Sequence, residues 1–319
     1  MSDNNIMVTV ICACYNHENY IRSALEGFVS QKTNFAYEVI VHEDASTDNS
    51  AAIIREYADK YPDIIKPIYQ TENQYSKIAG CGIEEKYIFP IVRGKYVAYC
   101  EGDDYWIDEN KLQKQVDFLE QNPDFVACVH NSYYEFSSGE KHVKYQCEDK
   151  ELRVEDLIVE AGEYQTSSLV LRTPLLMEMP AWVTSIPRVG DYPLAIYMAM
   201  NGKIKYFGDI MSTYRVATPG SWTMSYRHNT DLILNTKKKT RDMLYMADEY
   251  SKFKYTDIIT KKIISLEYII LKLENNLKEI KTGRCRDLYL EESLFTKIRM
   301  HIKYYMPGLL KIKRRILEK

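Results

Sequence analysis

Strand-like apolar runs alternate with helical patterns through the first 130 residues of this 319-residue chain. Five runs have strand character: MVTVICA, YEVIVHE, IIKPIYQ, KYVAYC and FVACVHN. The segments between them place apolar residues at helical spacing, as in NYIRSALEGFVSQ. Alternation of this kind favours a mostly parallel, doubly wound sheet with helices on both faces. The sequence therefore predicts a Rossmann-like α/β fold.

Composition excludes several other classes of protein. The chain is 45% hydrophobic and 27% charged, as globular proteins are, and its net charge of −3 gives no overall attraction to nucleic acid. No apolar run approaches the ~20 residues of a membrane helix, and the opening MSDNN leads into no signal-peptide core. We therefore expect a cytoplasmic protein whose seven cysteines are reduced core residues.

Three polar segments follow the first, second and fourth predicted strands: CYNHEN, HEDASTDNS and EGDDYW. In open α/β sheets, ligands bind beyond the carboxyl ends of the strands, so these segments are expected to form one pocket. Glu101, Asp103 and Asp104 are crowded within it. Carboxylates this close repel one another unless a cation or a hydrogen-bond donor compensates them. The sequence therefore predicts that a positively charged group binds there.

Three stretches resemble, in order and spacing, the signatures of family 2 inverting glycosyltransferases, which have the GT-A fold. They are VTVICACYNHENYIRSALEGFVSQ, EVIVHEDASTDNS and GKYVAYCEGDDYW. The resemblance covers about residues 7–130 strongly and continues weakly to Trp222. It implies a nucleotide-sugar-binding half at residues 1–130 and an acceptor-binding half at residues 131–228. Residues 229–319 would form a helical appendage.

The resemblance implies a set of donor-binding residues: Cys14, Tyr15, Asn16, Glu18, Asp44, Ser46, Glu101, Gly102 and Asp103. Asp44 matches the acid that bonds the uracil of a UDP-sugar. Asp103 matches the metal ligand of the family's DxD triplet, and Glu101, which replaces the first Asp, is the second candidate ligand. The metal would be Mg²⁺ or Mn²⁺, acting as a Lewis acid on the diphosphate.

The resemblance also implies residues on the acceptor side: Asp104, Trp106, Ser167, Ser168 and Trp222. A helix predicted to begin at Asp191 matches a family helix that opens with two acids, and Gly190 replaces the first of them. Asp191 is thus the candidate catalytic base, with a simple N-cap as the alternative. In YRVATPGSWT, Ala217 and Thr218 occupy the position where the family often has a histidine.

The function implied is transfer of a hexose or N-acetylhexosamine from a UDP-sugar to a glycan or lipid-linked acceptor, with inversion, in cell-surface polysaccharide synthesis. Two alternatives remain. A nucleotidyltransferase that forms nucleotide sugars should have a glycine-rich basic loop after the first strand, which ACYNHENY lacks. A non-catalytic module of the same fold would bind the nucleotide sugar without turnover.

The last residues have a different character. KIRMHIKYYMPGLLKIKRRILEK carries eight Lys or Arg and one acid, Glu318, among apolar residues. A solvated basic helix is the common explanation of such a pattern. Peripheral contact with the anionic inner face of a membrane is the competing one, because basic amphipathic helices bind such surfaces. Oligomerisation through this region is a third.

Overall fold

The computed structural model describes residues 6–77, 82–145, 148–160, 162, 164–184, 186, 190–218, 224, 226 and 229–306. The chain divides into two units, residues 1–224 and residues 225–319. In their described parts, the first is a mixed α/β structure and the second is helical.

One sheet organises the first unit, and its described part has ten strands. They are β1 Ile6–Cys14, β2 Ala36–Glu43, β3 Ile65–Tyr69, β4 Tyr96–Tyr99, β5 Tyr105–Trp106, β6 Phe125–Glu135, β7 Lys141–Val143, β8 Lys150–Leu152, β9 Val170–Arg172 and β10 Lys203–Arg215. Eight of them lie in the order β3-β2-β1-β4-β9-β6-β10-β5, while β7 pairs with β6 and β8 with β10.

Parallel pairing dominates the half of the sheet that contains β3, β2, β1 and β4. Strands β3, β2, β1 and β4 are parallel neighbours, and β10 is parallel to β6. Strand β9 runs antiparallel to both β4 and β6 and so joins the two halves. The predicted α/β class with a mostly parallel sheet is confirmed.

Helices flank this sheet: α1 Ile21–Val29, α2 Ser50–Lys60, α3 Lys111–Gln121, α4 Val154–Val159, α5 Thr173–Met177 and α6 Asp191–Asn201. The helical pattern at 82–94 forms no continuous α-helix. It gives a π-helical turn, Glu84–Ile88, and then a 3₁₀ turn, Phe89–Ile91. Pro90 explains the break, because proline has no N–H with which to continue a helix.

Side-chain alternation along the central strands creates two cores, one on each face of the sheet. Val10 and Cys12 of β1 pack into one core, whereas Ile11 between them packs into the other. Val39 and Ile40 of β2 divide in the same way. Burial on both faces explains why these strands read as continuous apolar runs.

Register brings the carboxyl ends of the central strands to one edge of the sheet. Cys14 at the end of β1 pairs with Glu43 at the end of β2, and Ile11 pairs with Tyr99 at the end of β4. The three polar segments that follow these strands therefore emerge side by side, as the sequence predicted.

The second unit contains the helices α7 Thr230–Tyr250, α8 Thr256–Leu273, α9 Leu277–Thr282, α10 Arg286–Glu291 and α11 Leu294–Tyr305. Ile259, Ile263 and Leu266 are buried along one face of α8 at the spacing of a helix. Among the residues described, no helix combines the length and apolarity needed to cross a bilayer.

Candidate active site

The loops after β1 and β2 are tied together by hydrogen bonds. The Asn16 N–H donates to Ser46 Oγ at 3.0 Å, and Thr47 N–H donates to Asn16 Oδ1 at 2.8 Å. Asn16 has a φ of 56°, a left-handed conformation that asparagine tolerates better than most residues. Asn16 and Ser46, both predicted to bind the nucleotide, thus also hold each other's loops.

Glu18 makes a second tie between these loops. Its Oε2 accepts from Asn49 N–H at 3.0 Å, and its own N–H donates to Asp48 Oδ2 at 3.0 Å. Helix α2 begins at Ser50, with Asn49 in the N-cap position. Asp48 accepts from Ser50 N–H at 2.9 Å and bridges the two loops.

Cys14 and Tyr15 differ sharply in exposure. The Cys14 side chain is buried in the core, so any contact it makes with a nucleotide would come from its backbone. Tyr15 is 42% exposed at the edge of the sheet. An exposed aromatic ring at this position suits stacking on a base, and Tyr15 remains the predicted contact.

Asp44 lies at the end of β2, and its carboxylate organises the segment after β3. Asp44 Oδ1 accepts from Gln74 N–H at 2.7 Å, and Oδ2 accepts from Tyr75 N–H at 2.9 Å. These bonds could not be predicted from the sequence, because the partners lie 30 and 31 residues away. Each carboxylate oxygen has a second lone pair, which can accept one more hydrogen bond. The bond from uracil to Asp44 stays a prediction.

The loop after β4, Glu101–Asp104, is called the acidic loop, and it is held against the end of β1. Gly102 N–H donates to Ala13 O at 2.9 Å, and Asp104 N–H donates to Glu101 O at 3.1 Å. A Cβ on Gly102 would lie 2.9 Å from His17 Nδ1 and 3.1 Å from Ala13 O. Close packing within the protein is thus a sufficient reason for glycine at this position.

We expect Gly102→Ala to lower the free energy of unfolding by about 1–3 kcal/mol, because the added methyl group overpacks the loop against His17. Denaturant unfolding measures this. The double variant with His17→Ala should recover part of the loss, since it removes the nearest colliding atom. A Gly102→Ala protein as stable as the parent would contradict this explanation.

Asp103 is held by residues from the end of β10. Thr218 Oγ1 donates to Asp103 Oδ2 at 2.9 Å, so Thr218 contacts the predicted metal ligand. Arg215 Nη1 donates to Asp103 O at 2.7 Å, and Arg215 N–H donates to Asp104 Oδ1 at 3.0 Å. The β10 end therefore fixes both aspartates.

Arg215 is itself held by several groups. Its guanidinium lies 4.4 Å from the centre of the Tyr105 ring and 3.3 Å from Glu135 Oε2. It also donates to Ser23 Oγ of α1 at 3.3 Å. A planar guanidinium can bond to several partners at once while stacking on an aromatic ring, which a lysine at this position would not reproduce.

Four carboxyl groups influence one another at this end of the sheet. Burial raises the pKa of Glu101 to about 8, and the carboxylates of Asp103, Asp191 and Glu84 raise it further. Both Glu101 and Asp191 still reach solvent. The charge of Asp191, at the start of α6, thus acts on Glu101 of the acidic loop.

Asp191 and Glu84 are perturbed as well. Burial raises the pKa of Asp191, while Tyr192 N–H, which donates to Asp191 Oδ1 at 2.9 Å, opposes that shift. Burial raises the pKa of Glu84 to about 7, and Tyr99 Oη donates to its Oε2 at 3.4 Å. Glu84 was missed in the sequence, where GIEEKYIF reads as one face of a helix. Its place in a π-helical turn, a feature common at functional sites, was not visible there.

Several residues predicted to contact the acceptor lie beneath the site. The Trp106 side chain is buried against Phe28, and its Nε1–H donates to Ser167 O at 2.8 Å. Ser167 and Ser168 are fully buried. All three side chains are buried, and their contact with the acceptor stays a prediction.

Asp104 is also buried, and its Oδ1 is committed to Arg215 N–H. Burial, followed by the charges of Asp103 and Glu101, raises the pKa of Asp104 well above its ordinary value. Its contact with the acceptor likewise stays a prediction. Trp222 lies outside the described residues.

The oxygen donors present suit a hard divalent cation. Within the described ranges, no group of three or more His, Cys, Asp or Glu forms a ready-made cage for a metal. Mg²⁺ is typically bound by one or two carboxylates together with substrate phosphates, rather than by an all-protein cage. Asp103, with Glu101 in the same loop, fits that arrangement, and the mutual repulsion of these acids favours a cation.

Comparison with known proteins gives relatives of uncharacterized function and relatives that are named as glycosyltransferases. An uncharacterized protein of Mycobacterium tuberculosis is 36% identical over 222 residues, which cover 69% of this chain and 61% of the relative. The chain thus spans about 61% of the length of that relative. The Escherichia coli protein WfaP, named a UDP-Glc:alpha-D-GlcNAc-diphosphoundecaprenol beta-1,3-glucosyltransferase, is 31% identical over 128 residues, covering 40% of this chain and 46% of that protein.

Solved structures with the same fold include glycosyltransferases. S. aureus TarS 1–349 in complex with UDP-GlcNAc matches with a TM-score of 0.61 at 16% identity, over 92% of this chain and 78% of that chain. The mannosyltransferase PcManGT from Pyrobaculum calidifontis, in complex with GDP-Man and Mn²⁺, matches with a TM-score of 0.52 at 16% identity, over 94% of this chain and 87% of that chain. The expected GT-A fold is confirmed.

The sequence model described as Glycosyl transferase family 2 matches residues 9–176. That range is more than half of the chain and contains most of β1, all of β2 to β4, the acidic loop and β9. The chain belongs to glycosyltransferase family 2.

Proposed function

We propose that this chain transfers a hexose or N-acetylhexosamine from a UDP-sugar to a glycan or lipid-linked acceptor, with inversion at the anomeric carbon. One observation carries the proposal. Asp103 follows β4 at the edge of the sheet where ligands bind in this kind of fold, and Arg215 Nη1 and Thr218 Oγ1 hold it there, so a metal–diphosphate site would form at this edge. Inversion by direct displacement needs a base on the side opposite the leaving group.

The choice of donor and acceptor is supported by related proteins. TarS has been crystallised with UDP-GlcNAc and with UDP. WfaP is named for a UDP-Glc donor and a diphosphoundecaprenol acceptor. Bacillus subtilis TuaG, 30% identical over 113 residues, is named as a putative teichuronic acid biosynthesis glycosyltransferase. These names favour a UDP-sugar and a role in cell-surface polysaccharide synthesis.

The roles of individual residues follow from their positions. Asp103 and Glu101 would hold Mg²⁺ or Mn²⁺, which when bound supplies a Lewis acid for the charge that grows on the departing diphosphate. Tyr15 would stack on the base. Asp191 would accept the proton of the acceptor hydroxyl as that oxygen attacks, and its raised pKa brings its basicity closer to neutral pH.

The experiment is a screen of UDP- and GDP-sugars for release of free nucleotide diphosphate, with Mg²⁺ or Mn²⁺, and with and without lipid-linked and soluble glycan acceptors. We expect acceptor-dependent release of UDP and a product of inverted anomeric configuration. Binding of UDP-sugars without any turnover across the panel would instead identify a non-catalytic module. A retained configuration in the product would contradict the role of Asp191.

Asp44 gives a prediction about donor binding. We expect Asp44→Ala to weaken UDP binding by about tenfold or more, with or without metal, because it removes a charged acceptor at the end of β2. Isothermal calorimetry measures the affinity. The substitution also releases Gln74 N–H and Tyr75 N–H, so a control must loosen that segment alone.

Tyr87→Phe is this control for Asp44. It removes the hydroxyl that donates to Gln74 Oε1 at 3.0 Å and leaves the carboxylate in place. Its UDP affinity should stay near that of the parent. Equal weakening in both variants would show that the conformation of residues 73–75, rather than the Asp44 carboxylate, determines affinity.

A further inference from the structure

Helix α11 of the second unit carries apolar side chains that are open to solvent. Leu294 is 74% exposed, Phe295 75%, Ile298 50% and Tyr305 68%, and no residue of the helix is buried. We call these four residues the apolar stripe. Isolated apolar residues are normal on a protein surface, but four on one short helix require an explanation.

Spacing places the apolar stripe on a single face of α11. Phe295 and Ile298 are three residues apart, Leu294 and Ile298 are four apart, and Ile298 and Tyr305 are seven apart. Leu290 of α10 lies beside this face, since Lys297 Nζ donates to Leu290 O at 2.8 Å, and it is 53% exposed. The exposed apolar surface therefore continues onto α10.

The opposite face of α11 is already in use within the second unit. Met300 packs on the small core around Tyr268 and Ile280, and its Sδ lies 4.0 Å from Tyr268 Oη. Because these contacts fix the rotation of the helix, the apolar stripe faces away from the unit's own core.

Charge indicates what covers the apolar stripe. Lys297, Arg299 and Lys303 lie on the same helix, which carries no acid. Residues 307–319 continue with Lys311, Lys313, Arg314, Arg315 and Lys319 against one acid, Glu318. Two copies of this helix packed together would place like charges next to each other, which is unfavourable. An anionic lipid surface matches both the apolar area and the positive charge.

We propose that α11 docks on an anionic membrane surface. The apolar stripe lies at the boundary between headgroups and acyl chains, and Arg299, which is exposed beside the stripe, contacts the lipid phosphates. The inference stands independently of the catalytic proposal, because it concerns a different unit of the chain and is measured without nucleotide sugar.

Vesicle sedimentation of the full chain tests this proposal, with phosphatidylcholine vesicles that contain or lack phosphatidylglycerol. We expect binding to the anionic vesicles that weakens as salt rises, and little binding to the neutral ones. The double variant Phe295→Ser, Ile298→Ser should bind about tenfold more weakly or worse. Phe253→Ser is the matched control, because Phe253 is 67% exposed elsewhere in the same unit, and it should bind like the parent.

Arg299→Glu provides a second variant that keeps the apolar stripe and reverses one exposed charge. It should lower binding to anionic vesicles and leave the weak binding to neutral vesicles unchanged. Circular dichroism and thermal unfolding check that all variants fold. Anionic binding that survives in both α11 variants overturns the proposal. A different outcome would be that the parent binds no vesicles and is dimeric in solution, while the double variant is monomeric. In that case the apolar stripe binds a second copy of the chain instead of a membrane.

Discussion

Asp103→Asn is expected to abolish metal-dependent sugar transfer, with a loss of about 10³-fold or more. A metal ion supplies several kcal/mol of stabilisation to developing charge, and each 1.36 kcal/mol is a factor of ten in rate. The amide keeps the size of the side chain and one oxygen for the Thr218 hydroxyl, so the fold should survive. Steady-state transfer in the presence of Mn²⁺ or Mg²⁺ measures the loss.

A binding readout separates the metal from the rest of the chemistry. Titration of Mn²⁺ into the protein with UDP, followed by electron paramagnetic resonance, should show tight binding for the parent and weak binding for Asp103→Asn. Thr218→Val is the matched control: it removes the donor to Asp103 Oδ2 but leaves the carboxylate, so Mn²⁺ binding should fall far less. Undiminished metal-dependent turnover in Asp103→Asn would rule out Asp103 as the ligand.

The parts of the site that follow from strand order could be predicted from the sequence. Alternating apolar and helical segments determine the parallel sheet, and a parallel sheet brings the ends of β1, β2 and β4 to one edge. The acidic loop and the loop after β2 were therefore expected to be neighbours before any coordinates. Local pattern sufficed because each strand and its following loop are adjacent in the chain.

Contacts between distant segments could not be predicted in this way. Arg215 and Thr218 hold Asp103 from more than 110 residues away, and no periodic pattern identifies such a pair. The resemblance marked Ala217 and Thr218 only as standing where a histidine is often found. The structure instead gives Thr218 a defined role, as a hydroxyl donor to the predicted metal ligand.

Burial of polar side chains could not be predicted from the sequence either. Lys111 reads as a solvated position of an amphipathic helix, yet it is fully buried, with its Nζ 4.2 Å from the centre of the Trp106 ring and 2.7 Å from Gln115 Oε1. Burial lowers the pKa of Lys111 to about 7. Trp106, predicted to face a sugar, is thus enclosed between this lysine and Phe28. Apolar periodicity cannot show that a lysine faces inward.

Asp191→Asn is expected to lower sugar transfer by about 10²- to 10⁴-fold, the usual contribution of a general base, while UDP affinity stays near that of the parent. The amide keeps the oxygen that accepts Tyr192 N–H, so α6 should still begin at this residue. A loss of transfer with an intact helix start therefore separates catalysis from capping. Transfer assays and UDP calorimetry on the same protein measure the two quantities.

The pH dependence of sugar transfer is a second test of Asp191 as the general base. A base works in its charged form, and burial raises the pKa of Asp191, so transfer by the parent should decline as pH falls through a value above the ordinary ~3.9 of aspartate. In Asp191→Asn the residual rate should lose that acid limb. Glu84→Gln is the competing variant, because Glu84 is the other perturbed carboxyl near Glu101, with a pKa of about 7. If Glu84→Gln removes the limb and Asp191→Asn transfers at the parent rate, the base is Glu84, and Asp191 only begins a helix.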